Sequence, residues 1–156
     1  MSKYDEAMQL LDKQVGNKDG LISLSTIALE AGADGVSRPA ARIVDAYYED
    51  GSFYIVTHEN TAKMRQIAQN PNVAVWIIVE NVTADGIGEN LGGVCDEKNA
   101  EIIAKLRTLF ADWYYKANIE EDIGTCILRI RLTTGLWNES HEGSRREIDF
   151  ENNTAD

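Results

Sequence analysis

Apolar residues open the chain at helical spacing: Tyr4, Ala7, Met8, Leu11 and Val15 predict an amphipathic helix over residues 3–15. The run Gly16-Asn17-Lys18-Asp19-Gly20 ends it. The pattern then turns extended. Residues 21–29 are rich in branched side chains and predict a first strand, and Gly32-Ala33-Asp34-Gly35 predicts a turn. A second strand covers 39–48 and a third covers 53–57, joined at Asp50-Gly51, a pair that favours a tight hairpin. A short helix over 61–69 stops at Asn70-Pro71, because proline disfavours a helical residue before it.

The nearly continuous apolar run 73–79 predicts a strand buried on both faces. The glycine-rich stretch 82–94 fits either a bulged strand or a loop. Residues 97–116 carry Ile102, Ile103, Leu106, Leu109, Phe110 and Trp113 on one stripe and predict the long helix of the chain. A last strand is expected over 126–137. Residues 1–150 read as a single domain and 151–156 as a disordered tail. Hairpins dominate and leave little room for parallel crossovers, which favours an antiparallel sheet or barrel with helices packed outside.

Composition narrows the function. A chain of 156 residues with 44% apolar and 26% charged side chains can bury one core without staples. Its formal net charge of −11 opposes binding to nucleic acid and to anionic membranes. An anionic ligand would need a local basic pocket. Cys95 and Cys126 stand in no metal-spaced pattern and are expected to be reduced. With a polar, acidic start and no apolar stretch near the length of a membrane helix, this suggests a cytoplasmic protein.

Two places carry candidate chemistry. Arg42 shares a strand face with Ala40, Val44 and Ala46. A long cation among small side chains either snorkels to solvent or faces a space that something else fills. The stretch Thr57-His58-Glu59-Asn60-Thr61-Ala62-Lys63 joins a strand to a helix N-terminus, where free amide hydrogens and the dipole suit phosphate. Lys63 in the first turn opposes that dipole unless an anion sits beside it. A simple cap with a solvated lysine is the other reading, and at this point both stand. His58 and His141 read as solvated loop histidines, and Glu120-Glu121 as a solvated loop. No metal-ligand set and no acid–base catalyst stands out.

Taken in order, Pro39-Ala40-Ala41-Arg42-Ile43-Val44, Gly51 to Thr57, Thr61-Ala62-Lys63 and Asn70-Pro71-Asn72-Val73-Ala74-Val75 resemble the core of the pyridoxamine 5′-phosphate oxidase-like FMN-binding split barrels. The resemblance implies a mainly β fold, an antiparallel six- or seven-stranded split barrel with outer α-helices. It implies FMN as cofactor, with Arg42 and Lys63 as phosphate cations, Thr57 and Thr61 as hydroxyl donors, and Ala62 in the same phosphate loop. Ile43 and Val44 would offer backbone groups to the flavin's polar edge. It also implies a homodimer with flavin at the subunit interface, and Trp137 is the candidate contact from the partner subunit.

The implied activity is an FMN-dependent oxidoreductase acting on a small molecule or a reduced nicotinamide. Beside it stand a non-catalytic flavin-binding protein and the same fold holding a deazaflavin or haem. The segment Ser144 to Phe150 lacks the Arg- and His-bearing pattern with which true pyridoxamine phosphate oxidases hold their substrate, so that reaction is not expected.

Overall fold

The computed structural model describes residues 1–78, 81–138 and 143–156. Helix α1, Lys3–Val15, starts at a capping box in which Ser2 and Asp5 bond each other's backbone amides, and it buries Ala7 and Leu11. The strands β1 (Gly20–Ile27), β2 (Pro39–Glu49) and β3 (Ser52–His58) follow. The β2–β3 hairpin turns where the sequence predicts it. Asp50 and Gly51 both take positive φ, 46° and 74°, the conformation a tight antiparallel hairpin needs. Helix α2 (Ala62–Gln69) leads to β4 (Asn72–Ile77) and β5 (Val82–Gly93). The helical pieces α3 (Ala100–Leu109) and α4 (Tyr114–Ala117) precede β6 (Thr125–Asn138), β7 (Arg145–Asp149) and β8 (Thr154–Ala155).

All pairings between these strands are antiparallel, in the order β3-β2-β1-β4-β5-β6-β7-β8, and β3 also pairs with β6. Six strands therefore close a barrel, and β7 and β8 extend the sheet beyond it. β6 makes both arrangements: residues 125–131 pair with β3, whereas 134–138 pair with β7. One apolar cluster fills the barrel, with Leu24, Ile55, Val75 and Leu128 among its members. A second lies between the barrel wall and the helices, where Tyr47, Val56 and Ile127 meet Ile103, Leu106, Phe110 and Tyr114.

Several expectations need correction. The strand buried on both faces is β3, which is flanked by both cores, and not β4. In β4, Val73, Val75 and Ile77 are buried while Ala74 and Trp76 are exposed; Val79 lies outside the described residues. The stretch 82–94 is largely strand, with register shifts at Asp85/Gly86 and Asn90/Gly93, so the bulged alternative holds. The long helix breaks at Phe110–Trp113, because Trp113 and Tyr114 have tertiary partners that override the helical period. The predicted last strand is followed by two more. Residues 151–156 turn back onto β7: Asp149 accepts hydrogen bonds from Asn152, and Thr154 and Ala155 pair with β7.

Candidate functional site

A cavity of about 430 Å³ opens between β2, β3, the start of α2 and the segment around 117–122. Ile43, Val44 and Asp45 line it from β2, Thr57 and His58 from β3, and Lys63 from α2.

Its cationic end begins at α2. Thr61 occupies the N-cap position, but its hydroxyl donates back to the His58 carbonyl at 2.8 Å, and no side chain caps the helix. The first amide hydrogens of α2 therefore have no side-chain acceptor, and the first turn holds no acidic residue. Lys63 is partly buried and has no hydrogen bond or ion pair among the described residues. Burial pushes its ammonium below the usual lysine range, and Arg42 pushes it the same way. Arg42 stands behind the cavity wall, on the face of β2 opposite Ile43. Its guanidinium donates to the Leu24 carbonyl (3.2 Å), Thr26 Oγ1 (2.7 Å) and Gln66 Oε1 (2.8 Å). It too has no carboxylate partner among the described residues, and burial lowers its pKa. Two neighbouring cations, both desolvated and neither matched by an acid, are costly in the absence of a bound anion.

The acidic end differs. Asp45 sits against Asp19, and the Trp113 indole donates to Asp19 Oδ2 at 2.6 Å. Burial, then the Asp19 carboxylate, push the Asp45 carboxyl above the usual range.

The remaining wall is braced twice. Glu120 accepts two bonds from Arg107 (2.8 and 3.0 Å) and one from the Tyr114 hydroxyl (2.7 Å), which holds its carboxyl below the usual range. Asp122 Oδ2 meets His58 Nε2 at 3.1 Å, while His58 Nδ1 accepts from the Asn60 amide. The imidazole lies so close over Gly124 that any side chain there would collide with it. His58 and Glu120 are thus not the solvated loop residues expected from the sequence; each has a fixed partner that the chain brings from elsewhere.

No family model matches the chain, and no curated protein matches it. Solved structures do. A candidate pyridoxamine 5′-phosphate oxidase from Listeria innocua superposes with a TM-score of 0.59 at 16% identity, over 88% of this chain and 98% of the other. The fold is a split barrel, which this structure shares. A second split barrel, a FAD-binding protein from Mesorhizobium loti, gives 0.57 at 16% identity over 81% and 90% of the two chains. The haem storage protein HutZ from Vibrio cholerae gives 0.59 at 13% identity over 85% and 91%.

This split barrel brings Ile43, Val44, Thr57, Thr61 and Lys63 to one cavity. Ala62 opens α2 beside them, exposed. Arg42 is adjacent to Lys63 but faces away from the cavity space. Trp137 is elsewhere: only 6% exposed, it packs in the apolar cluster that includes the barrel core. The reason is a bulge. Gly86 pairs with Leu132 and Asp85 with Thr134, so Thr133 is skipped and the alternation of β6 inverts before Trp137. The exposed tryptophan of the split barrel is Trp76, at 45%. His141 lies outside the described residues.

Proposed function

We propose that this split barrel binds FMN in the cavity between β2, β3 and α2 and uses it as an oxidoreductase cofactor. One observation carries the reading: in a chain of net charge −11, Arg42 and Lys63 lie side by side without an acid, at a helix N-terminus that no side chain caps. Such an arrangement suits a phosphate. Lys63, the Thr57 hydroxyl and the first amides of α2, including that of Ala62, would hold the phosphate. Thr61 serves by turning its hydroxyl away from the helix, and Arg42 adds positive field from behind. The Ile43–Val44 backbone would run along the flavin's polar edge. Bound flavin supplies hydride and electron transfer, with a reduced nicotinamide or another small reductant as donor. The chain's contribution is to hold, orient and desolvate it.

The cavity is open on one side, and the neighbouring sheet face is apolar and exposed at Leu21, Ile43 and Trp76. We place a second copy of the chain there, in a homodimer with two equivalent sites. The protein is proposed to act in the cytoplasm, where both of its free cysteines, Cys95 and Cys126, would stay reduced. Pyridoxamine phosphate is not the proposed substrate. Of the arginines that could serve a second phosphate, Arg38, Arg129, Arg131, Arg145 and Arg146, three lie beside acids: Arg129 by Glu89, Arg131 by Glu151 and Arg146 by Glu6.

Absorption spectroscopy and light scattering test the reading together. The expected result is a yellow protein with flavin bands, released as FMN, at twice the 17.3 kDa chain mass. Oxidation of NADH or NADPH with added acceptors then separates an enzyme from a flavin carrier. Haem bands, or tight flavin binding by a monomer, would overturn the corresponding part.

A further inference from the structure

An arginine only donates hydrogen bonds, so the atoms it meets must be acceptors. Arg42 Nη1 reaches Thr26 Oγ1 at 2.7 Å, and Nη2 reaches Gln66 Oε1 at 2.8 Å. Thr26 Oγ1, having accepted, gives its own proton to Gln66 Oε1 at 2.6 Å. The guanidinium fork therefore closes on two oxygens held side by side, the arrangement that a carboxylate presents to an arginine. Here both oxygens are neutral. Thr26 is 1% exposed and Gln66 9%, so water does not compete for these contacts. Gln66 stands one turn after Lys63 on α2 and Thr26 stands on β1, so the same bonds tie the helix that opens the cavity to the sheet.

A glutamate in place of Gln66 would reach the same donors. It would also cancel the charge of Arg42, which acts directly on Lys63. The other group that acts on Lys63 is the Cys126 thiol, which burial pushes up to about 11 and so leaves uncharged at neutral pH. We propose that Thr26 and Gln66 form a neutral stand-in for a carboxylate, which holds Arg42 by geometry and leaves its charge for an anion at the start of α2. Gln66 is then a positioning residue: through Arg42, and without touching the ligand, it sets the preference of the cavity for an anionic terminus. This deepens the flavin reading, and its ligand test rests on that reading.

The test compares Gln66→Glu, which keeps the acceptor and adds a charge, with Gln66→Met, which removes the acceptor and adds none. In the ligand-free chain, the Lys63 ammonium is followed by NMR at Cε and assigned through Lys63→Ala. It should titrate higher in Gln66→Glu than in the wild type, and as the wild type in Gln66→Met. Gln66→Glu should weaken FMN binding about three- to tenfold and hold riboflavin, which lacks the phosphate, within about twofold. Gln66→Met should hold both ligands within about twofold and unfold at a lower temperature, because buried donors lose their acceptor. An unmoved Lys63 titration in Gln66→Glu, or equal FMN losses in the two variants, overturns the proposal while leaving flavin binding intact. Should Gln66→Glu fail to fold, Arg42→Met replaces it: deleting the charge must raise the Lys63 titration, and an unmoved titration again overturns the proposal. Absence of FMN and riboflavin binding in the wild type overturns the flavin reading instead, and the Lys63 titration then decides the role of Gln66 alone.

Discussion

The two ends of the cavity are built on opposite imbalances. At one, Arg42 and Lys63 stand together without an acid; at the other, Asp19 and Asp45 stand together without a cation. The chain does not cancel these charges against each other, although both lie on one wall system around β2. An anion from outside relieves the cations, because the arginine keeps its proton and its positive field stays beside Lys63. The Asp45 carboxyl is pushed up instead, by burial and then by the Asp19 carboxylate. In the reading proposed above, the cationic end selects a ligand by charge, and an elongated ligand with one anionic terminus would take a single orientation.

The strongest way to break this contrast is Lys63→Ala. Loss of a charge-assisted contact should weaken FMN binding by about 10- to 100-fold. Riboflavin affinity should stay within about twofold, and equal losses for both ligands would remove the distinction between the ends.

Arg42→Met should act less on the ligand, about three- to tenfold on FMN, because Arg42 stands behind the wall. It should act on the fold as well. Thr26 and Gln66 are buried, and losing the guanidinium that donates to both should lower stability by about 1–3 kcal/mol in thermal or urea unfolding. Arg42→Lys sharpens the point: FMN affinity should largely recover while stability does not, since an ammonium cannot replace the forked contact.

The smallest effect is expected from Asp19→Asn. The Asp45 carboxyl is raised in the folded chain, so folding binds a proton. Its favourable contribution is present at low pH and is lost as pH rises through the raised titration. Asp19→Asn should therefore raise Tm at pH 8, by about 1–2 °C, and leave it unchanged near pH 4. A gain of equal size at both pH values would mean that charge is not the cause.

The cationic end was legible in the sequence because its parts are local. Arg42 follows a strand pattern, and Lys63 follows a strand-to-helix junction, each read within a few residues. Asp50-Gly51 fixed the hairpin for the same reason. The acidic end was not legible. Asp19 and Trp113, 94 positions apart, are joined by a hydrogen bond that no local pattern announces. His58 and Asp122 share that difficulty. The burial of Trp137 was not legible either, because one skipped residue, Thr133, inverts the alternation along β6. β7 was missed because Ile148 is its one fully buried side chain, and a short charged segment carries too little apolar signal to read as a strand.

The double pairing of β6 has a consequence for the chain as it is made. Until Thr125–Asn138 arrives, β3 and β5 each present an open edge, because the same strand satisfies both. Closure therefore waits on contacts between segments far apart in sequence, the circumstance that slows folding and prolongs exposure of sticky edges. Translation delivers β6 after five strands are already out. A ribosome stalled before Thr125 would hold a half-built sheet, and a pulse of protease at that moment should cleave between β3 and β4, in a region that is protected once β6 has joined the two edges.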